Sequence, residues 1–434
     1  MNCFDVHPRD PRLPTEAPRV GGRSAGDFLS IFILKTNEFM VTVSEATSII
    51  LSHPFIPRKE KVKIMFSTGR ILAESIQADR DLPPFDRVTM DGIALSSDEF
   101  RDGVRTFKVS GVQAAGHGRL RVAEPASCIE VMTGAMMPEG TDTVVRYEDL
   151  EINDRNATVK LETLSKGDNV HFRGMDARKN DVLLSPGIKI SPAEVVLMAS
   201  VGRPDVEVFA FPKTAIISTG DELVSIDQIP LVHQIRQSNS HGLQAALYEM
   251  SCEANFFRIT DQKDVLEKSL STILGHHQLI ILSGGVSKGK FDYVPQVLES
   301  LGVKKMFHQI SQKPGKPFWF GVSQDQTVFA LPGNPVSTYM CFYRYIKPWL
   351  MKSFGVDYLF PTATLAQDFS FTPALTYFLQ VRIKNENGRP MAYPDAGGGS
   401  GDFVNLKDVN GFLELPAEKS DFKKGEVFSF IPFR

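Results

Sequence analysis

The 434-residue chain has little of several things that would each have pointed to a class of function. There are only four cysteines, Cys3, Cys128, Cys252 and Cys341, and no two are spaced as a CxxC pair. Three of them lie in apolar stretches (SCIEVM, MSCEA, YMCFY), which suits buried reduced thiols in a reducing cytoplasm and argues against disulfides or zinc ligands. Charge of one sign is lacking too: 48 lysines and arginines against 51 aspartates and glutamates leave a net charge of −3. Wholesale electrostatic attraction to nucleic acid or to an anionic membrane is thereby excluded, so any anion site has to be built locally. No apolar run approaches the roughly 18 residues needed to cross a bilayer. There is no internal repeat and no coiled-coil heptad.

What is present is ordinary for a globular protein, with 42% hydrophobic and 23% charged residues. The length suggests about three domains. Residues 1–39, rich in Pro, Arg and Gly and ending in FLSIFIL, lack a signal peptide's long apolar core and small-residue cleavage site. They read as a disordered extension, or as the product of an upstream start site.

Periodic sequence begins after Met40. Residues 41–76 read as helical, with Val43, Ala46, Ile49, Ile50, Val62, Met65 and Leu72 at helical spacing. From Asp81 to about Lys160 short β-type runs alternate with glycine turns (FKVSGV, CIEVMTG, DTVVRYE, ATVKLETL). Ser191, Pro192 and Glu194 form the signature of a capped helix start. Between about 205 and 350 three apolar runs end in glycine and polar residues, TAIISTGDEL, QLIILSGGVS and TVFALPGNP, and helix-like stretches separate them. Buried parallel strands alternating with helices give this pattern, with ligands bound at the carboxyl ends of the strands. The final segment returns to β-like runs (YFLQVRI, FLELP, VFSFI).

The expected fold class is therefore multidomain α/β. A three-layer αβα substrate domain spans 205–354, an inserted mostly-β domain 81–160 and a C-terminal β domain 355–434. A discontinuous helical or mixed linking domain takes 41–80 plus 161–204.

The unusual residues cluster at the strand ends. Asp221 and Glu222 offer oxygen ligands for magnesium or a general base; alone, they read more readily as a solvated turn with Asp221 capping a helix. In SGGVSKGKFD, Gly284 and Gly285 let backbone amides approach an anion, Ser283 and Ser287 add hydroxyls, and Asp292 follows a turn later. Lys313 and Lys316 sit in QKPGKP, where proline limits backbone freedom and places two ammonium groups at low ordering cost for a compact oxyanion; taken alone, the motif fits a surface turn with solvated lysines equally well. In Pro332-Gly333-Asn334-Pro335-Val336-Ser337, Asn334 fits an N-cap and Pro335 the first helical residue, so a helix N-terminus faces the loop. Asp91, in LPPFDRVTMDG, and Thr133, in TGA, read locally as turn residues.

Together these motifs resemble the MoeA family, also represented by the E domains of gephyrin and its plant counterpart. LPPFDRVTMDG, TGAMMPEGTDTVV, TGDEL, IRQSN, SGGVSKGKFD, QKPGKP, LPGNPVS and GGSGD occur here in the family's order, across residues 41–434. The resemblance implies an elongated homodimer of four-domain subunits acting on adenylylated molybdopterin and molybdate, with Mg²⁺ assisting and AMP leaving. By motif match, Asp91 and Thr133 would reach in from the partner subunit, and Glu222 and Asp292 would be the catalytic and metal carboxylates. Asp221, Asn239, Ser283, Gly284, Gly285 and Ser287 would contact substrate, and Lys313 and Lys316 would hold the oxyanion or the phosphates. Pro332, Gly333, Asn334, Pro335 and Arg382 would also contact substrate, and Ser337 and Ser400 would line the molybdate pocket. Two departures stand out. Gln237 occupies a position that is acidic in many relatives, which leaves the metal count open. Gln380 aligns with an arginine that contacts molybdate in some relatives, and Arg382, on the same strand face, is its candidate substitute.

Two other functions compete. The adenylyltransferase that supplies the substrate, itself a conceivable partner, shares the strand–glycine–helix core but is much shorter and lacks the LPPFD…MDG segment. A gephyrin-like scaffold that binds receptor peptides is the other, although no fused adenylyltransferase domain accompanies these motifs here.

Overall fold

A computed structural model of the chain describes residues 40–286 and 293–434. The expected extension 1–39 lies outside the described residues, as do Cys3, Ser287 and Asp292.

The helix expected over 41–76 is much shorter, and this reading is corrected. Helix α1 covers Val43–Leu51, started by a capping box in which Glu45 N–H donates to Thr42 Oγ1 (3.2 Å) and Thr42 N–H to Glu45 Oε2 (2.8 Å). Pro54 and Pro57 then prevent its continuation. Lys59–Lys63 becomes a strand paired antiparallel with Asp205–Phe209, and Lys63 meets Asp205 across the pair at 2.8 Å. Helical spacing among Val62, Met65 and Leu72 was coincidental; cross-strand pairing overrode it. Helix α2, Pro192–Ser200, starts as its sequence announces, with Ser191 and Glu194 capping reciprocally.

Residues 92–159 form a six-stranded sheet, ordered 143–146, 92–95, 127–131, 106–113, 156–159, 150–153. Alternate residues feed two small cores, with Ile93 and Leu95 on one face and Ala94 on the other.

The central sheet contains, in chain order, β1 (Thr214–Thr219), β2 (Ala254–Ile259), β3 (Leu279–Ser283), β4 (Lys304–His308), β5 (Trp319–Val322) and β6 (Thr327–Leu331). Its spatial order is β2-β1-β3-β6-β5-β4, parallel through β6 and antiparallel beyond. β1, β3 and β6 are buried along their whole length, as near-continuous apolar runs in a covered parallel sheet must be. Ile217, Ile280 and Val328 pack with helices α4 (Lys263–Leu274) and α5 (Val294–Ser300). Ile216, Ile281 and Phe329 pack with α3 (Asn239–Tyr248) and α6 (Pro335–Cys341). β2 and β4 had no strand reading, because half-exposed ANFFRI and KKMFH lack the apolar run, whereas the apolar FWFG after the lysine loop reads as the strand that becomes β5.

After α6 the chain continues as a π-helical turn, Phe342–Ile346, into the helix Lys347–Ser353. The C-terminal strands 376–386, 389–394, 362–365, 427–432 and 411–415 pair in that order, and 376–386 pairs again with 411–415, closing a barrel. The barrel is not separate: Phe378, Phe412 and Ile431 share one apolar core with Ile50 of α1 and with Ile216, Phe329 and Trp349.

Candidate functional site at the carboxyl ends of the central strands

β1, β3 and β6 run parallel, so their carboxyl ends deliver the loops that follow them to one edge. After β1 comes Gly220 with φ +144°, a conformation that favours glycine. A Cβ there would lie 2.6 Å from Glu222 Oε2, so the Glu222 carboxylate is folded back against the strand end. Asp221 and Glu222 are both exposed. The helix that Asp221 was expected to cap is absent: a two-residue strand, Leu223–Val224, follows, and Asp221 Oδ1 accepts from Asp261 N–H at 3.4 Å. Asp221 also borders a cleft of about 460 Å³ with Asp261, Gln262, Lys263 and Tyr293.

After β3, Gly284 (φ +102°) and Gly285 (φ +66°) cross directly over the end of β1. A Cβ on Gly284 would stand 2.6 Å from the Thr219 carbonyl oxygen, so only glycine permits this approach. Thr219 Oγ1 is buried beneath the pair with no hydrogen-bond partner among the described residues. Sequence gave no reason to single out this threonine.

After β6, Gly284 N–H donates to Leu331 O at 3.2 Å, joining the two loops. Asn239, at the start of α3, ties them further: its Nδ2 donates to Ser283 Oγ (2.8 Å), Gly333 O (2.7 Å) and Thr338 Oγ1 (3.3 Å). Thr338, unremarked in sequence, donates to Pro332 O at 2.6 Å, while its neighbour Ser337 is buried in the first turn of α6. Pro335 opens α6 as expected, but the Asn334 side chain does not cap it. Asn334 Nδ2 donates instead to Ser400 Oγ at 2.7 Å, and Val336 N–H donates to Ser400 O at 3.2 Å. The glycine loop of the C-terminal segment is thereby fastened to the same edge.

Lys313 and Lys316 are exposed, and neither forms an ion pair among the described residues. Lys313 Nζ stands 5.5 Å from the centre of the Phe371 ring. Arg382 is committed elsewhere, its Nε 3.1 Å from Asp395 Oδ2. Gln380 is buried on the same strand face, donating to Ala396 O at 3.3 Å.

Asp91 and Thr133 meet each other where the paired strands 92–95 and 127–131 begin and end. Thr133 N–H (2.6 Å) and Oγ1 (2.7 Å) both donate to Asp91 Oδ1. The Thr133 hydroxyl, and then its amide, hold the Asp91 carboxyl below the usual carboxylate range. Among the described residues no hydrogen bond or ion pair links either of them to the central sheet.

The donor set suits a hard cation: exposed carboxylates at a strand end, beside glycine loops that can take phosphate. Among the described residues no group of three or more His, Cys, Asp or Glu side chains forms a closed metal cage. An ion that draws part of its shell from substrate phosphates needs only one or two protein carboxylates.

Fold and site define a multidomain α/β protein whose polar loops converge on the carboxyl edge of a largely parallel sheet. The particular family is then clear from three matches along the chain: "MoeA N-terminal region (domain I and II)" over residues 41–202, "Probable molybdopterin binding domain" over 215–352 and "MoeA C-terminal region (domain IV)" over 362–433. A relative from Synechocystis sp. named molybdopterin molybdenumtransferase is 39% identical over 396 residues, 90% of this chain and 99% of its own. One of the same name from Haemophilus influenzae is 30% identical over 411 residues, 91% and 99% of the two chains. A solved molybdopterin biosynthesis MoeA protein from Pyrococcus horikosii has 29% identity and a TM-score of 0.77, covering 91% of this chain and 100% of that one. The chain belongs to the MoeA family.

Proposed function

We propose that the chain is a molybdopterin molybdenumtransferase, which inserts molybdate into adenylylated molybdopterin during molybdenum cofactor biosynthesis and releases AMP. Its relatives' shared name supports the transferase reaction. The observation that carries the reading is the convergence at one sheet edge of a carboxylate loop with the paired-glycine loop, the 332–337 loop and the Ser400 loop, the last three joined through Asn239 and Asn334.

A substrate pyrophosphate would lie against Gly284 and Gly285, with Lys313 and Lys316 countering its charge and that of the oxyanion. Mg²⁺, held by Glu222 and Asp292 with substrate oxygens, would neutralise charge on the leaving phosphate. Ser283, Ser287, Asn239 and Asp221 would orient the substrate, and residues 332–337 with Ser400 would line the molybdate pocket. Arg382 would have to leave Asp395 to join them. Asp91, paired with Thr133 and, among the described residues, unconnected to the sheet edge of its own chain, would serve the site of a second subunit in a homodimer. We keep the domain limits set out from sequence, including the αβα layering of 205–354, as part of this proposal. No described helix is long and apolar enough to cross a membrane.

The test is to combine the protein with adenylylated molybdopterin, Mg²⁺ and molybdate and to follow AMP release. Release should depend on molybdate and yield cofactor. AMP formation at the same rate without molybdate would sink the reading.

A further inference from the structure

The lysine loop rests on a buried polar network that the proposed reaction does not itself require. Gln312, the residue before Lys313, is fully buried. Its Nε2 donates to Gly315 O at 3.0 Å and lies 3.7 Å from Cys341 Sγ, and its Oε1 accepts from the Tyr345 hydroxyl. Tyr345 is buried as well, in the π-helical turn, where one extra residue shifts the side chains that follow α6. Gly315 has φ +89°, and a Cβ on it would stand 2.8 Å from Gln312 Nε2 and 2.9 Å from Cys341 Sγ. The glycine therefore seats its backbone directly on the amide and the thiol. Main-chain bonds hold the ends: Ile310 N–H donates to Lys316 O at 3.0 Å, and Gln312–Lys313 pairs parallel with Thr376–Tyr377.

A buried amide in a wholly apolar core would cost more than an apolar side chain of the same size unless its polar atoms are satisfied. Here they are satisfied, and the atom they grip is the carbonyl midway between the two exposed lysines. We infer that Gln312 and Tyr345 are positioning residues: they draw the Gly315 carbonyl inward and thereby present Lys313 and Lys316 together, outward, to an oxyanion. This rests on the reading of the lysine loop as anion-binding.

The test uses the full-length protein, with free molybdate as the calorimetric probe and KM and kcat measured in the molybdate-dependent assay. Variants are Y345F, Q312M, the double Q312M/Y345F, and K313A as reference. Losing one buried hydrogen bond that sets the loop should weaken molybdate binding and raise its KM by roughly tenfold, with kcat changed less than about twofold. The double variant should melt at a higher temperature than Q312M, because the tyrosine hydroxyl no longer lies buried without its acceptor. Its molybdate affinity should stay as weak. Recovery of affinity together with stability in the double variant would mean the network only supports the core, and the inference would be overturned. Unchanged affinity in K313A would overturn the anion-binding reading of the loop itself, and this inference with it.

Discussion

Asp91 has one neighbour that defines its chemistry. Both hydrogen bonds to its Oδ1 come from Thr133, and they favour the ionised carboxylate. A carboxyl whose pKa is depressed in the folded protein keeps its charge to lower pH, and that charge is lost only as pH falls through the lowered value. Thr133→Val removes the hydroxyl but keeps the amide, so the Asp91 pKa should rise part of the way to its ordinary value. The acid limb of the pH–rate profile should then move to higher pH with the alkaline limb unmoved. An unshifted acid limb would show that Asp91 does not govern it. Nothing in DGIAL or MTGAM foretells this contact, because a 42-residue separation is invisible to local pattern. The ordered motifs brought these two residues forward; their geometry is what couples them.

At the scale of elements, the junction of α1, the π-helical turn and the barrel is held by Arg344. Its Nε donates to Glu414 Oε2 (2.8 Å), its Nη2 to Glu414 Oε1 (3.2 Å) and its Nη1 to Thr47 Oγ1 (3.2 Å). The guanidinium is largely buried, so removing its partner leaves a charge that water cannot reach. Glu414→Ala should cost about 3 kcal/mol, seen as a lowered denaturation midpoint. Arg344→Met combined with Glu414→Leu should recover most of it. A double variant as unstable as the single would point to packing rather than stranded charge. Elements whose cause is local were legible in sequence: the apolar runs of β1, β3 and β6, the capping box of α2, the proline at the start of α6. Those whose cause is a distant partner were not. Lys59–Lys63 is a strand only because Asp205–Phe209 lies beside it, and the network around Gln312 joins side chains 33 residues apart in sequence.

For the molecule as a whole, the proposed site divides between subunits, and this division can be tested without a structure of the dimer. Asp91→Asn and Glu222→Gln should each reduce turnover by at least tenfold while leaving the fold intact by circular dichroism. Co-expressed and mixed, they should restore one intact site in each heterodimer. Persistent inactivity of the isolated heterodimer would refute the division.

The short parallel pairing of Gln312–Lys313 with Thr376–Tyr377 has a mechanical meaning. Hydrogen-bonded strands resist being slid or peeled apart, so the lysine loop moves with whichever body it is stitched to. It is stitched to the barrel through this pairing and to the central domain through Gln312 and Ile310. Barrel and central sheet also share one apolar core, so the loop is a seam clamped from both sides, and a change in the packing on either side is also a displacement of the lysines.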